Sequence, residues 1–287
     1  MSCLSVSVII PTYNRPTMVA RAVASACTQT YAPYEIIVID DASSPPLTAA
    51  DLNCDDPRIK IVRLKRNQGA AAARQVGINE AQGDVIAFLD SDDIWLPNKL
   101  EAQIPFLEEA FRANELIAVA CGWKNVPENG GLSYQRIPVP SSRVSDFAGG
   151  CWFSPGTTVI LPKRAFEIVG PFNHQLRRLE DLEWYLRFAL AGGQLQVAPI
   201  IGAIISIGRR AKSDHISHAR QEIANIYNSF QNKAFCNRTK RWLSAYLYVE
   251  QAAAERNSGR YLLMVWWLLR SFILVPRFSI PLKDWWR

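Results

Sequence analysis

GDVIAFLDSDD, Gly83 to Asp93, is the stretch on which the fold turns: a short apolar run, Val85 to Leu89, ends in Asp90-Ser91-Asp92-Asp93. A run of that length and composition reads as a buried strand, and carboxylates at its end are poor packing material. Such groups hold a cation or move a proton. Working outward, the pattern recurs. Glu35 to Ile39 (EIIVI) runs into Asp40-Asp41, Ser5 to Ile10 (SVSVII) stops at Pro11, and Ile59 to Leu64 gives a further strand. Between them, Pro16 opens a helix that aligns Val19, Ala22, Val23 and Ala26, and Ala70 to Ala81 forms an alanine-rich helix. Strands alternating with helices predict an α/β fold, a Rossmann-like and mostly parallel sheet flanked by helices. Ligands of such sheets bind at the carboxyl ends of the strands, so Pro11, Asp40 and Asp90 are expected to border one crevice.

Downstream, a helix from about Pro97 to Arg112, interrupted by Pro105, leads to a strand at Leu116 to Cys121. Residues 124–157 are rich in Pro and Gly and read as a long loop region with short strands, of the kind that forms lids or specificity elements. Val159 to Leu161 restores a strand. Leu182 to Ala191 reads as a helix that ends at Gly192-Gly193.

The 287 residues suit one large α/β domain with an appendage, and a chain that is 49% hydrophobic and 20% charged is an ordinary globular one. The net charge of +6 is unevenly spread: 1–206 carry −3 and 207–287 carry +9. A basic tail suits an anionic partner, a lipid surface or a phosphorylated substrate, or is a solvated helical face; no nucleic-acid-binding motif accompanies it. The six cysteines (Cys3, Cys27, Cys54, Cys121, Cys151, Cys236) form no C-x-x-C pair, which points away from a zinc site or a disulfide framework and toward reduced thiols in a cytoplasmic setting. The N-terminus enters a strand pattern without a basic segment and long apolar run before it, so no secretory signal is expected.

Each acidic cluster has a chemical and a structural reading. Asp90-x-Asp92 places two carboxylates on one turn, which fits Mg²⁺ or Mn²⁺ shared with a diphosphate, since Mg²⁺ takes one or two protein carboxylates plus substrate phosphates. Asp92 or Asp93 can instead cap the helix near Pro97, although capping leaves several acids in four residues unexplained. Asp40 or Asp41 can accept hydrogen bonds from a base or ribose, or form an Asx turn. Arg74, one turn into the alanine-rich helix, can meet phosphate oxygens or lie on the surface. Glu180-Asp181 either complements the dipole of its helix or supplies a general base. His215 and His218 are a low-specificity pair for metal.

In order along the chain, PTYNR (Pro11 to Arg15), VIDDAS (Val38 to Ser43), NQGAAAARQVGI (Asn67 to Ile78), GDVIAFLDSDD and LEDLEWYLR (Leu179 to Arg187) resemble the family 2 inverting glycosyltransferases. The resemblance runs from about residue 5 to 200 and includes VGPFNHQL (Val169 to Leu176); Gln75 and Asn173 depart from the residues common there. It implies a GT-A fold over 1–206 that binds a nucleoside diphosphate sugar, commonly a UDP-sugar, with Mn²⁺ or Mg²⁺. Pro11 and Tyr13 would flank the base, Asp40 would bind base or ribose, and Arg74 would help hold the nucleotide. Asp90 and Asp92 would form the metal site around Ser91, which would join the donor contacts. Asp181 would be the general base beside Glu180, and His215 is the candidate for a later metal ligand. The implied activity is metal-dependent hexosyl transfer with inversion, to a glycan or lipid-linked acceptor in cell-surface polysaccharide or lipopolysaccharide assembly.

Two other classes use similar parts. A nucleotidyltransferase making nucleotide sugars would present a glycine-rich basic loop after the first strand, where this chain has PTYNRP. An inactive sugar-nucleotide-binding scaffold would have no need of Asp90, Asp92 and Asp181. The tail, 207–287, is expected to be helical. Its apolar run Tyr261 to Leu269, broken by Arg270 before Phe272 to Val275, falls short of the roughly 20 residues that span a bilayer. Trp266, Trp267, Trp285 and Trp286, with Arg256, Arg260, Arg277 and Lys283, suit a helix lying at the inner face of the cell membrane, or packed on the catalytic body or at a dimer interface.

Overall fold

A computed structural model describes residues 4–127, 132–207, 213–228 and 235–276. Strand β1 (Val6–Thr12), helix α1 (Pro16–Cys27), β2 (Glu35–Asp40), β3 (Ile59–Arg63), α2 (Ala70–Glu80) and β4 (Val85–Phe88) follow the alternation read from the sequence. They are succeeded by β5 (Ile94–Trp95), α3 (Lys99–Ala113), β6 (Ile117–Pro127), β7 (Tyr134–Arg136), α4 (Val144–Ala148), α5 (Pro155–Thr158), β8 (Ile160–Pro162), α6 (Arg164–Val169), α7 (Glu180–Leu190) and β9 (Gln194–Ile207). Helices α8 (Ser213–Asn228), α9 (Asn237–Asn257) and α10 (Tyr261–Leu274) end the described chain.

The described strands form one sheet in the order β3-β2-β1-β4-β8-β6-β9-β5, with β7 on β6. Period-2 alternation divides each central strand between two cores. Val6, Val8 and Ile10 of β1 and Ile36 and Val38 of β2 face α1 and α3, while Ile9, Ile37 and Ile39 face α2 and α7. Burial on both faces is why these strands are nearly continuous apolar runs. Helix α2 lies very close to β1: a Cβ on Gly77 would stand 2.4 Å from Ile9 Cγ2.

The sheet is parallel from β3 to β4 and again between β6 and β9, but β8 runs antiparallel to β4 and β6, and β5 antiparallel to β9. The second half is therefore mixed, where a mostly parallel sheet was expected. Strand β5, two residues long, is too short to read, and β8, read as a strand at Val159 to Leu161, gives no sign of its direction in three residues. Strand β9 was not anticipated, because Pro199 and Gly202 interrupt its pattern. Cys121 pairs with Ala198 and Gly122 with Ile201, so Pro199 and Ile200 fall in a bulge that absorbs the proline. Helix α3 runs through Pro105 without interruption, and the proline is on its exposed side. The loop region 124–157 contains the end of β6, β7, α4 and the start of α5.

The described tail is helical and joins the core of the sheet: Ala219, Ile223, Tyr227, Phe235, Leu243 and Leu247 belong to the same apolar cluster as Phe88 and Trp184. Helix α10 rests on α9, with Ser271 Oγ donating to the Ala245 carbonyl at 2.9 Å and Trp267 against Tyr248. No helix among the described residues is long and apolar enough to cross a membrane. Arg277, Lys283, Trp285 and Trp286 lie outside the described residues.

Candidate active site

The carboxyl ends of β1, β2 and β4 open into a cavity of about 490 Å³. Pro11, Thr12, Tyr13 and Arg15 enter it from β1, Asp41 from β2, and Asp90 to Asp93 from β4. Helix α2 supplies Ala70, Ala73 and Arg74, the entry to α7 supplies Arg178, Glu180 and Asp181, and β9 supplies Ile205 and Ser206. Of the residues singled out in the sequence, Pro11, Tyr13, Arg74, Asp90, Ser91, Asp92, Glu180 and Asp181 all border this space.

Arg74 is the centre of the arrangement. Its side chain is 5% exposed, with Nη2 2.7 Å from Asp90 Oδ1 and Nη1 3.3 Å from Glu180 Oε1 and 3.5 Å from Asp181 Oδ1. Burial works against its charge, but Asp181, Asp90 and Glu180 outweigh it and hold the guanidinium protonated beyond its ordinary range. One buried cation thus links the turn after β4 to the first turn of α7, two segments about ninety residues apart. Arg74 faces carboxylates in this structure, where the resemblance implied contact with the nucleotide.

Burial pushes the Asp181 carboxyl up to about 6, with Arg74 pulling it down and Glu180 adding to the rise. That value lets the group lose and regain a proton near neutrality, as a general base must. Asp90 is raised by burial, and the Arg74 charge opposes the shift. Leu179, just before α7, is held at φ +61°, a left-handed conformation that an L-residue adopts only under the constraint of its surroundings. It turns the chain so that Glu180 and Asp181 open the helix toward the cavity.

The turn Asp90 to Asp93 is braced from below. Burial, reinforced by the charge of Asp90, pushes the Asp93 carboxyl up to about 8. Asp93 shares a hydrogen bond with the Thr157 hydroxyl and accepts from Ser206 N at 2.9 Å, while Ser206 Oγ donates to the Asp92 carbonyl at 2.8 Å. Asp93 therefore ties the turn to α5 and β9; the cap of α3 is Asn98, with no side-chain hydrogen bond to the helix. Asp92 keeps its carboxylate at the cavity, 2.6 Å from Arg15 Nη1.

Asp40 does not border the cavity. It is fully buried, accepts from Ser43 N at 2.8 Å and Leu47 N at 3.3 Å, and pairs with Arg63 Nη1 at 2.6 Å. Its neighbour Asp41 is the one at the cavity, and it accepts from Gln68 N at 2.7 Å and Gly69 N at 2.8 Å, fixing the turn into α2. The Asx-turn reading holds for Asp40, because those internal partners occupy both carboxylate oxygens. His215 and His218 lie on α8 and do not line the cavity. Sequence reasoning gave no role to Arg15, Arg178, Ser206 or Thr157. Arg15 lay within a quoted motif, while Ser206 depended on the unanticipated β9.

Among the described residues no three His, Cys, Asp or Glu side chains form a set that could hold a metal ion by themselves. Two carboxylates bordering a cavity are nonetheless the donor set that a hard divalent cation uses when substrate phosphates complete its coordination. Asp90 and Asp92 fit that description.

The sequence profile of Glycosyl transferase family 2 matches residues 7–165, more than half of the chain. The chain belongs to that family. The matched span of this family 2 chain includes the turn after β4 and ends before Glu180. It is 44% identical over 102 residues to the UDP-Glc:alpha-D-GlcNAc-diphosphoundecaprenol beta-1,3-glucosyltransferase WfgD of Escherichia coli, a match covering 36% of this chain and 40% of that protein. An uncharacterized glycosyltransferase of Rickettsia conorii is 46% identical over 105 residues, 36% of this chain and 17% of its own length. The chain thus spans less than half the length of these curated relatives. Among solved structures, S. aureus TarS 1-349 in complex with UDP-GlcNAc superimposes with a TM-score of 0.65 at 20% identity, covering 95% of this chain and 82% of that one. The likeness is one of fold: a curled mixed sheet flanked by helices, as in GT-A-like glycosyltransferases.

Proposed function

We propose that this glycosyltransferase moves a sugar from a UDP-sugar to a hydroxyl of a glycan or lipid-linked acceptor, with inversion, in cell-surface polysaccharide or lipopolysaccharide assembly. The observation that carries the reading is the Arg74 bridge, which gathers a carboxylate of the D-x-D turn and the candidate base at the head of α7 around one cavity. The UDP-GlcNAc held by TarS and the UDP-Glc donor of WfgD support the choice of donor. The diphosphoundecaprenol acceptor of WfgD supports a lipid-linked one.

In this reading Tyr13 and Pro11 flank the base, and Ser91 and the rim of β1 meet the donor. Asp90 and Asp92 hold Mn²⁺ or Mg²⁺, which when bound supplies positive charge to the diphosphate leaving group. Asp181 removes the proton of the attacking hydroxyl on the face of the sugar opposite the leaving group, and a single in-line displacement inverts the anomeric carbon. No covalent nucleophile is needed. Arg74 orients Asp181 and favours its ionised form, against the burial and the neighbouring Glu180 charge that raise it.

Helix α10 supports peripheral membrane contact. Leu262 is 89% and Ile273 78% exposed, with Val265, Trp266 and Leu269 also exposed between them. Arg256 and Arg260 precede this apolar surface and Arg270 lies on Trp266, 4.8 Å from its ring centroid. Residues 1–206 would then form the catalytic body at the cytoplasmic face and 207–287 its basic, membrane-facing extension.

Calorimetric titration with UDP, with and without Mn²⁺, tests the donor site. The expected result is binding that the metal strengthens. Folded protein that binds neither UDP nor another nucleoside diphosphate overturns the reading.

A further inference from the structure

A second cavity, of about 590 Å³, lies on the other side of the entry to α2. One wall is Arg66, Asn67 and Gln68 with Ala72, Gln75 and Val76 from the outward side of α2; the other is the segment between α6 and α7, with Pro171, Phe172, His174 and Arg177. Gln75 Oε1 accepts from Phe172 N at 3.1 Å and ties the two walls together. The lining contains no carboxylate. Arg66 and His174 make no ion pair among the described residues, and Arg177 acts on Asp41 across the partition with the catalytic cavity.

Three basic side chains around a concavity whose own lining holds no acid are an arrangement that an anion completes, and arginine forks favour phosphate oxygens. Val76 and Pro171 add an apolar wall. The two cavities share their boundary. Arg177 lines this one and its neighbour Arg178 the catalytic one, while Gln68, which lines this cavity, gives its backbone N–H to Asp41 of the other. A ligand that presents a hydroxyl to Asp181 therefore has a basic pocket next to it, separate from the carboxylates proposed for the donor.

We propose that this second cavity is the subsite for the diphosphate of a lipid-linked acceptor. Arg66 and Arg177 grip its oxygens, His174 closes the rim, and the apolar wall receives the first part of the lipid. The inference rests on the glycosyl-transfer reading, and deepens it by assigning the acceptor's anionic group to named residues.

The test is a binding experiment on the full chain with the donor site filled by saturating UDP and Mg²⁺, titrated in turn with inorganic pyrophosphate, farnesyl diphosphate and farnesol. Saturable binding of the two diphosphates, each displacing the other, is expected, with farnesol bound far more weakly. The Arg66→Gln/Arg177→Gln double variant should lose about tenfold or more in affinity for both diphosphates, the scale of one charge-assisted hydrogen bond. The Arg66→Gln single variant, which leaves Arg177 beside Asp41, should keep its UDP affinity within about twofold of the parent chain, since Arg66 does not border the donor cavity. No diphosphate binding beside UDP, or unchanged binding by the double variant, overturns the subsite. Binding of pyrophosphate but not farnesyl diphosphate overturns the lipid-linked assignment and leaves a free-anion site. UDP binding, measured in the same protein, reports separately on the donor reading.

Discussion

Arg15 Nη1 stands 2.6 Å from Asp92 Oδ2, so a carboxylate proposed to hold a divalent cation is already faced by a cation of the chain. The two side chains are about a quarter exposed, 28% and 23%, which limits the strength of the pair. An incoming metal must displace or share with Arg15. Arg15→Ala should tighten Mn²⁺ binding in the absence of nucleotide by roughly two- to fivefold, the range open to a partly exposed ion pair. Calorimetry with Mn²⁺ alone reads it, and weaker binding by the variant would mean that Arg15 supports the site.

The Asp181 carboxyl, raised to about 6, sets a pH dependence. A general base works only when unprotonated, so kcat/KM should climb about tenfold per pH unit well below 6 and level off above it. Arg74 is the group that opposes the rise. Arg74→Gln removes a positive charge that favours the ionised carboxylate, so the acidic limb should move to higher pH. A pH–rate profile of folded variant and parent checks the sign; a limb that stays put or moves down refutes the coupling.

Asp181→Asn keeps the shape of the side chain and removes its basicity. The expected loss is about 10²- to 10⁴-fold in kcat, with UDP affinity nearly unchanged because the base acts on the acceptor. Turnover near that of the parent chain would take the role of base away from Asp181.

Much of this site was legible because its parts sit at strand ends, and burial on both faces makes those strands apolar enough to read. Pro11, Asp90 and Asp92 were found from that logic, and the Glu180-Asp181 pair from its place at the head of an aromatic-rich helix, with the resemblance singling out Asp181. The residues alone left Asp40 and Asp41 open and the resemblance chose Asp40, whereas Asp41 is the one at the cavity; which of two adjacent carboxylates faces inward depends on the partners Arg63, Ser43 and Leu47 that fold against Asp40. Arg74 was read as a phosphate or nucleotide contact, and its ion pairs with Asp90, Glu180 and Asp181 went unread because these partners lie far away in the sequence. The bracing by Thr157 and Ser206 was invisible for a different reason. Residues 154–157 looked like loop, and β9 was hidden by a proline that only the bulge accommodates.

That bracing segment carries the most specific prediction. Gly156 has no left-handed backbone to demand glycine, so only space does: a Cβ there would lie 2.5 Å from Asp90 Oδ2 and 2.9 Å from Arg74 Nη2. Arg74 is enclosed and cannot retreat, whereas Asp90, with 36% of its side chain exposed, can swing into the cavity. Gly156→Ala should therefore break the 2.7 Å Arg74–Asp90 contact and turn a carboxylate away from its proposed metal position. The fold should survive with a loss of about 1–3 kcal/mol, the usual cost of overpacking, while kcat/KM falls by more than the unfolded fraction explains. Gly77→Ala is the control: the nearest atoms to its Cβ all belong to the Ile9 side chain, the first at 2.4 Å, so it should lower the melting temperature and leave the activity per folded molecule intact. Melting curves and kinetics on the two variants separate the cases, and equal loss of activity per folded molecule in both would show that Gly156 is a packing position only.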